Sequence, residues 1–329
     1  MAEKRLAYAQ HGLEATPGTA VPATFKWLGD AMSEFLDAIA TPKRDSPGGV
    51  FGGIIEGAFV PETGTEIVLP DTPFSFEYMV WVLNHSVKSN VGPLTTFPFP
   101  LPTTTPNTIK TFTYEYVTRT QSYQVPYCFI PEWEVHGDVN NDNGKVLLNG
   151  RVRGRKAVPA SPTAGLGYIP SLDFANVNNS TIHFDSLGTA AGSAAARTGF
   201  MKGFSINNKT GWNEGRYGDG RPAADFAVHE FSDYEISGTV KALFNANAAT
   251  ELANARAGSG RIMAIKINGN TSRVMVCKLP IIFDKAPKLG DEENGLVLVT
   301  FPWHAGYSET ATAQPPQFDV TLSGATTVT

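Results

Sequence analysis

Val125-Pro126-Tyr127-Cys128-Phe129-Ile130-Pro131, followed after an acidic loop by Asn143-Gly144-Lys145-Val146-Leu147-Leu148, has a counterpart further along the chain. There the residues are Val274-Met275-Val276-Cys277-Lys278-Leu279-Pro280, then Asn294-Gly295-Leu296-Val297-Leu298-Val299. Both copies read C-x-x-P, an acidic loop (Asp138 to Asp142, Gly290 to Glu293), then N-G-x-V-L. Asn-Gly between apolar runs is a strong hairpin signal, because both residues tolerate the positive φ of a tight turn. Each copy therefore predicts a strand, a turn and a returning strand. The copies are separated by about half of the 329 residues, a spacing that points to internal duplication.

Upstream the correspondence continues in pattern. Phe112-Thr113-Tyr114-Glu115-Tyr116-Val117 and Ile262-Met263-Ala264-Ile265-Lys266-Ile267 occupy matching places and read as strands. Before each lies a helix candidate. One runs from Pro73 to His85, with Asp71 or Thr72 as cap; the other runs from Ala248 to Ala255 and is closed by Gly258. Each half thus predicts strands, one helix, then about four strands, in two domains, 1–160 and 161–329, each long enough to bury its own core. The joint is the turn-rich Val158-Pro159-Ala160-Ser161-Pro162-Thr163-Ala164-Gly165.

Composition agrees with a mainly β chain: 32 Gly, 23 Pro and only 17% charged residues favour strands and turns over long amphipathic helices. A net charge of -5 argues against a surface that grips nucleic acid through many phosphate contacts. No stretch approaches the ~18 apolar residues that span a bilayer, and the opening has no signal-peptide apolar region, so no membrane is expected and synthesis is expected in a cytoplasm. Cys128 and Cys277 lack partners at metal-ligand spacing and read as buried reduced thiols.

The first half carries two additional segments. Thr41 to Thr65 is rich in glycine and proline, and Val91 to Thr111 in proline and threonine; in an assembling subunit such arms contact neighbours. Pro47, Val50, Phe51, Ile54, Ile55, Phe59 and Pro61 are the candidate subunit-contact residues. A short helix is expected between Thr24 and Ala40, with Phe35, Leu36 and Ile39 on one side, and an exposed loop from Gly188 to Thr198. In the second half Phe200 to Ile206 leads to a turn at Asn207-Asn208, and Phe226 to His229, Tyr234 to Val240 and Phe318 to Leu322 read as strands.

Candidate chemistry is sparse. Asp138-Val139-Asn140-Asn141-Asp142-Asn143-Gly144 begins like a calcium loop but has Asn143 at the sixth position and Asn149 at the twelfth, so it reads as a solvated turn. Glu132 and Glu134 share one strand face, with Trp133 on the other, and read as an acidic stripe rather than a glycosidase pair. Six scattered histidines form no ligand set, and no hydrolase, P-loop or dinucleotide signature occurs. Arg151-Val152-Arg153-Gly154-Arg155-Lys156 reads as a guarded sheet edge. No catalytic residue, metal site or cofactor is expected.

Gly12-Leu13-Glu14-Ala15-Thr16-Pro17-Gly18-Thr19-Ala20-Val21-Pro22 resembles the opening of siphophage major tail tube proteins, where an E-x-T-x-G-T phrase follows a first short strand. The Gly/Pro-rich arm, the helix and strands ending in a G-x-V phrase are also similar to that family. The resemblance implies two tandem antiparallel β-sandwich or partly closed barrel domains, each flanked by one short helix. It implies subunits that join strands side by side into rings, stacked as a tube through which DNA leaves the virion without specific binding. A duplicated fold would close the ring with three chains, and tape measure, tail terminator and distal tail proteins would be the further partners. The alternatives are another virion component, such as a tail terminator or capsid-surface module, and a carbohydrate-active β protein.

Overall fold

A computed structural model of the chain describes residues 8–29, 34–36, 41–45, 54–59, 64–89, 94–101, 104–118, 121–169, 172–217, 226–284, 287–293, 295–308 and 314–322. The first half runs β1 (Tyr8–Leu13), β2 (Phe25–Lys26), β3 (Glu34–Leu36), β4 (Thr41–Asp45), β5 (Ile54–Phe59) and β6 (Thr65–Pro73), then α1 (Phe76–Asn84). It continues with β7 (Leu94–Pro98), β8 (Phe112–Val117), β9 (Ser122–Asp138), β10 (Val146–Gly154) and β11 (Val158–Pro159). The second half has β12 (Thr181–Ser186), β13 (Met201–Lys209), β14 (Trp212–Gly215), β15 (Val228–Phe231) and β16 (Glu235–Leu243), then α2 (Ala246–Arg256). It ends with β17 (Arg261–Asn268), β18 (Val274–Phe283), β19 (Lys288–Glu293), β20 (Leu296–Ala305) and β21 (Gln317–Thr321).

The chain is mainly β and every ladder is antiparallel. In the first half β1 pairs with β8, β8 with β9, β9 with β10, β10 with β6 and β6 with β3. In the second, β12 pairs with β17, β17 with β18, β18 and β19 with β20, β20 with β16 and β16 with β13. Among the described strands no path of pairings returns to its start, so no barrel closes.

The hairpin signals act where expected. Asn143 (φ 57°) and Gly144 (φ 73°) turn the first hairpin; in the second, Glu293 pairs with Leu296 across a turn containing Gly295 (φ 76°). α1 begins later than expected. Pro73 ends β6, Asp71 and Thr72 lie in that strand, and the cap is Ser75, whose Oγ accepts from the Tyr78 amide at 3.4 Å. α2 is capped by Asn245 and followed by Gly258 in the left-handed region. The expected helix between Thr24 and Ala40 is not present in the described residues, which there form β2 and β3. Phe35 and Leu36 lie in a strand paired with β6, and Ile39 lies outside the described residues. The expected turn at Asn207-Asn208 is also corrected: β13 runs through both, because Asn208 is buried in a strand paired on both edges.

One hydrophobic cluster runs from Ala9 to Leu322 and takes in residues of both halves. All nine residues of α1 are buried, whereas α2 buries only Ala248, Glu251 and Leu252. Glu77 of α1 makes an ion pair with Arg273 from the second half, and its carboxyl is shifted upward, chiefly by burial.

Candidate assembly surface

β9 is the pivot. Up to Cys128, just past Tyr127, a non-glycine residue at φ 57°, it pairs with β8 and β11; from Phe129 on it pairs with β10 and β13. The β9·β13 ladder runs through seven opposed pairs, from Gly203↔Asp138 to Lys209↔Glu132. Because β13 belongs to the second half, the ladder fuses the halves into one sheet ordered β3-β6-β10-β9-β13-β16-β20-β19. Alternation places Trp133, Val135, Phe204 and Ile206 on its buried side.

Excursions from each half cover the other. The β14·β15 hairpin, inserted between β13 and β16, lays Trp212 and its neighbour Phe226 over Tyr127 and Phe129 of β9, leaving Phe129 fully buried. Arg155 fixes this contact. Its guanidinium donates to the carbonyls of Phe226 and Ala227 at 3.0 Å each and lies 4.4 Å from the Tyr127 ring centroid. In return β7, from the arm expected to reach a neighbour, pairs with β21 and buries Thr95 and Phe97 against the chain's own second half.

The opposite face of the fused sheet is polar. Opposed residues across it include His304, Ser237, Asn207, Glu134 and Asn149, and a second row runs Glu235, Lys209, Glu132 and Arg151. Glu132 and Glu134 lie here as expected, with Trp133 buried on the other side and its Nε1 donating to Ser86 Oγ at 3.2 Å. The basic run is not a sheet edge. β10 is an interior strand between β6 and β9, and its cations face carboxylates: Arg151 lies 3.0 Å from Glu66 and 3.6 Å from Glu132, and Arg153 lies 2.5 Å from Glu66. The acidic loop is engaged by protein groups, with Asp138 accepting from the Asn140 amide at 2.9 Å and pairing with Lys241 of the second half at 3.2 Å. Among the described residues no group of three His, Cys, Asp or Glu could hold a metal ion, and no helix is long and apolar enough to cross a membrane.

In the Glu14-to-Thr19 phrase Glu14 is a buried staple, while Ala15, Thr16, Pro17 and Thr19 are exposed. The Glu14 carboxylate accepts from the Gly18 amide (2.8 Å), Thr111 Oγ1 (2.8 Å), Thr113 Oγ1 (2.9 Å) and the Tyr127 amide (2.8 Å). One side chain thereby ties the end of β1 to β8 and to the bend of β9. Gly18 is at φ 81°, and a Cβ there would collide with Arg155. Glu115 does similar work, accepting from Gln10 Nε2 (2.8 Å), the Ala23 amide (3.2 Å) and the Thr163 amide (2.9 Å), which docks the inter-half linker.

Of the contact residues expected from sequence, Pro47, Val50, Phe51 and Pro61 lie outside the described residues. Ile54, Ile55 and Phe59 belong to β5, paired with β4 through Asp45↔Ile54, Arg44↔Ile55 and Thr41↔Phe59. Cys128 and Cys277 are buried free thiols, both pushed up in pKa by burial. Sequence reasoning missed the β9·β13 joint; its only trace was the length of alternating sequence from Ser122 to Asp138. No protein-family model matches the chain, and no curated protein is significantly similar to it.

Proposed function

We infer that this chain is the structural subunit of the tube of a long non-contractile phage tail, with a tube fold duplicated in tandem. What supports the reading is the similar order of ladders in the two halves, together with their fusion edge to edge through β9·β13. A unit that already joins its two copies by continuing a sheet has a ready means of joining further copies. Three chains would then close a ring of six similar units, and rings would stack around a lumen. The polar face of the fused sheet suits that lumen, because its cations are matched by carboxylates and DNA phosphates would not be retained.

In this reading the partners are the chain itself, the tape measure, terminator and distal tail proteins, and genomic DNA in transit. The virion tail is its location, and no cofactor or catalytic residue enters. Negative-stain microscopy of the purified protein tests it: hollow rings or tubes are expected, whereas a protein that stays monomeric at high concentration would sink the reading.

A further inference from the structure

Within one chain the contact between halves has two parts: the edge of β9 against β13, and the β14·β15 hairpin over Phe129. Each part has a counterpart elsewhere in the chain that has no such mate among the described strands. β3 stands to β6 as β13 stands to β16, since Phe35 pairs with Ile67 and Ile206 with Gly238, and Phe35 and Ile206, like Ile67 and Gly238, are 171 positions apart. β4·β5 is inserted between β3 and β6 as β14·β15 is inserted between β13 and β16. At the other end, Leu289 pairs with Val299 as Val135 pairs with Leu148, and Val299 and Leu148 share the 151-residue offset of the two Asn-Gly turns. Ile282 lies opposite His304 as Phe129 lies opposite Arg153, with His304 and Arg153 at that same offset and Ile282 and Phe129 two residues beyond it.

The counterparts differ in one respect. Val135 and Phe129 are fully buried, while Leu289 is 43% and Ile282 49% exposed. Ile282 lines an apolar depression of about 380 Å³ with Leu187, Pro280 and Tyr307. Among the described strands β3 pairs only with β6, and β19 only with β20. What covers Val135 and Phe129 inside the chain is the leading part of the following half; the analogous part of the first half is β3 with β4·β5.

We propose that β3 of a second copy adds antiparallel to β19, and that the second copy's β4·β5 hairpin seats over Ile282. The inference rests on the assembly reading above and names its interface. Transferring the register of Ile206↔Val135 places Phe35 of one chain opposite Leu289 of the next. It also gives the β4·β5 segment the role that β14·β15 plays within the chain.

Directly opposed residues in an antiparallel pair have Cα atoms about 4.5–5.5 Å apart, inside the span of a disulfide. A Phe35→Cys variant mixed with a Leu289→Cys variant under mild oxidation should therefore give a reducible two-chain band on a non-reducing gel; the buried native thiols stay silent. Neither variant alone should give that band. Ile282→Lys, at an exposed position, should melt as the parent does yet need at least tenfold more protein to form rings. Rings of the parent protein without the mixed disulfide, or unimpaired assembly of Ile282→Lys, would overturn this interface and leave the tube reading standing. Absence of any ring from the parent protein would overturn both.

Discussion

Replacing Glu14 by alanine should be among the most destabilising single changes outside the apolar core. The carboxylate is 5% exposed and accepts four hydrogen bonds, two on each oxygen. Thr111 and Thr113 can rotate their hydroxyls toward other acceptors, but the amides of Gly18 and Tyr127 cannot move without the backbone. A buried donor left without a partner costs about 1–3 kcal/mol, so the two amides alone give a loss of roughly 3–5 kcal/mol once the cavity is included. That is a large share of the 5–15 kcal/mol that typically stabilises a protein. Glu14→Gln keeps the volume but turns an NH₂ toward two donors, and should cost about 1–3 kcal/mol. Urea unfolding followed by tryptophan fluorescence measures both. A loss under 1 kcal/mol for Glu14→Ala would refute the staple and reduce the phrase to an ordinary turn.

Stability should also fall on mild acidification. His11 and His85 are buried among Trp81, Phe112 and other rings, and burial holds both below the usual imidazole range, His85 at about 3. In the unfolded chain they protonate below about pH 6.5, so the contribution of their neutral forms is complete above that pH and is lost as pH falls toward the folded values. His85 alone should remove about 2 kcal/mol between pH 6.5 and 5, His11 acts in the same direction, and His11→Phe should flatten the slope; an unchanged slope would contradict the assignment. Phe129→Ala should cost about 3–5 kcal/mol and loosen the β14·β15 hairpin, read as lost near-ultraviolet dichroism from Trp212. A full-strength signal in that variant would mean the hairpin holds without its anchor.

What could be read from the residues was local. Asn-Gly turns, the alternation of Phe112 to Val117 and the C-x-x-P phrases carry their own conformational preferences, and all lie in or beside the strands they suggested. Misreadings arose where a neighbour distant in sequence decides the conformation. The Phe35, Leu36 and Ile39 spacing imitates a helix face, yet β6 recruits Phe35 and Leu36 into a strand. Asn207-Asn208 has turn chemistry but is held straight by ladders on both sides. The arginines of β10 looked like edge guards because the carboxylates that neutralise them, Glu66 and Glu132, come from two other strands. The β7 excursion was invisible for the same reason: proline and threonine say nothing about which sheet an extended segment joins.

The proposed duplication and the fused sheet predict a countable object. Class averages of rings, combined with the native mass of a single ring, give the number of chains directly. Three chains arranged with apparent sixfold symmetry are the expected result. Six chains per ring, or no ring at all, would contradict the claim that the joint between the two halves is repeated between subunits.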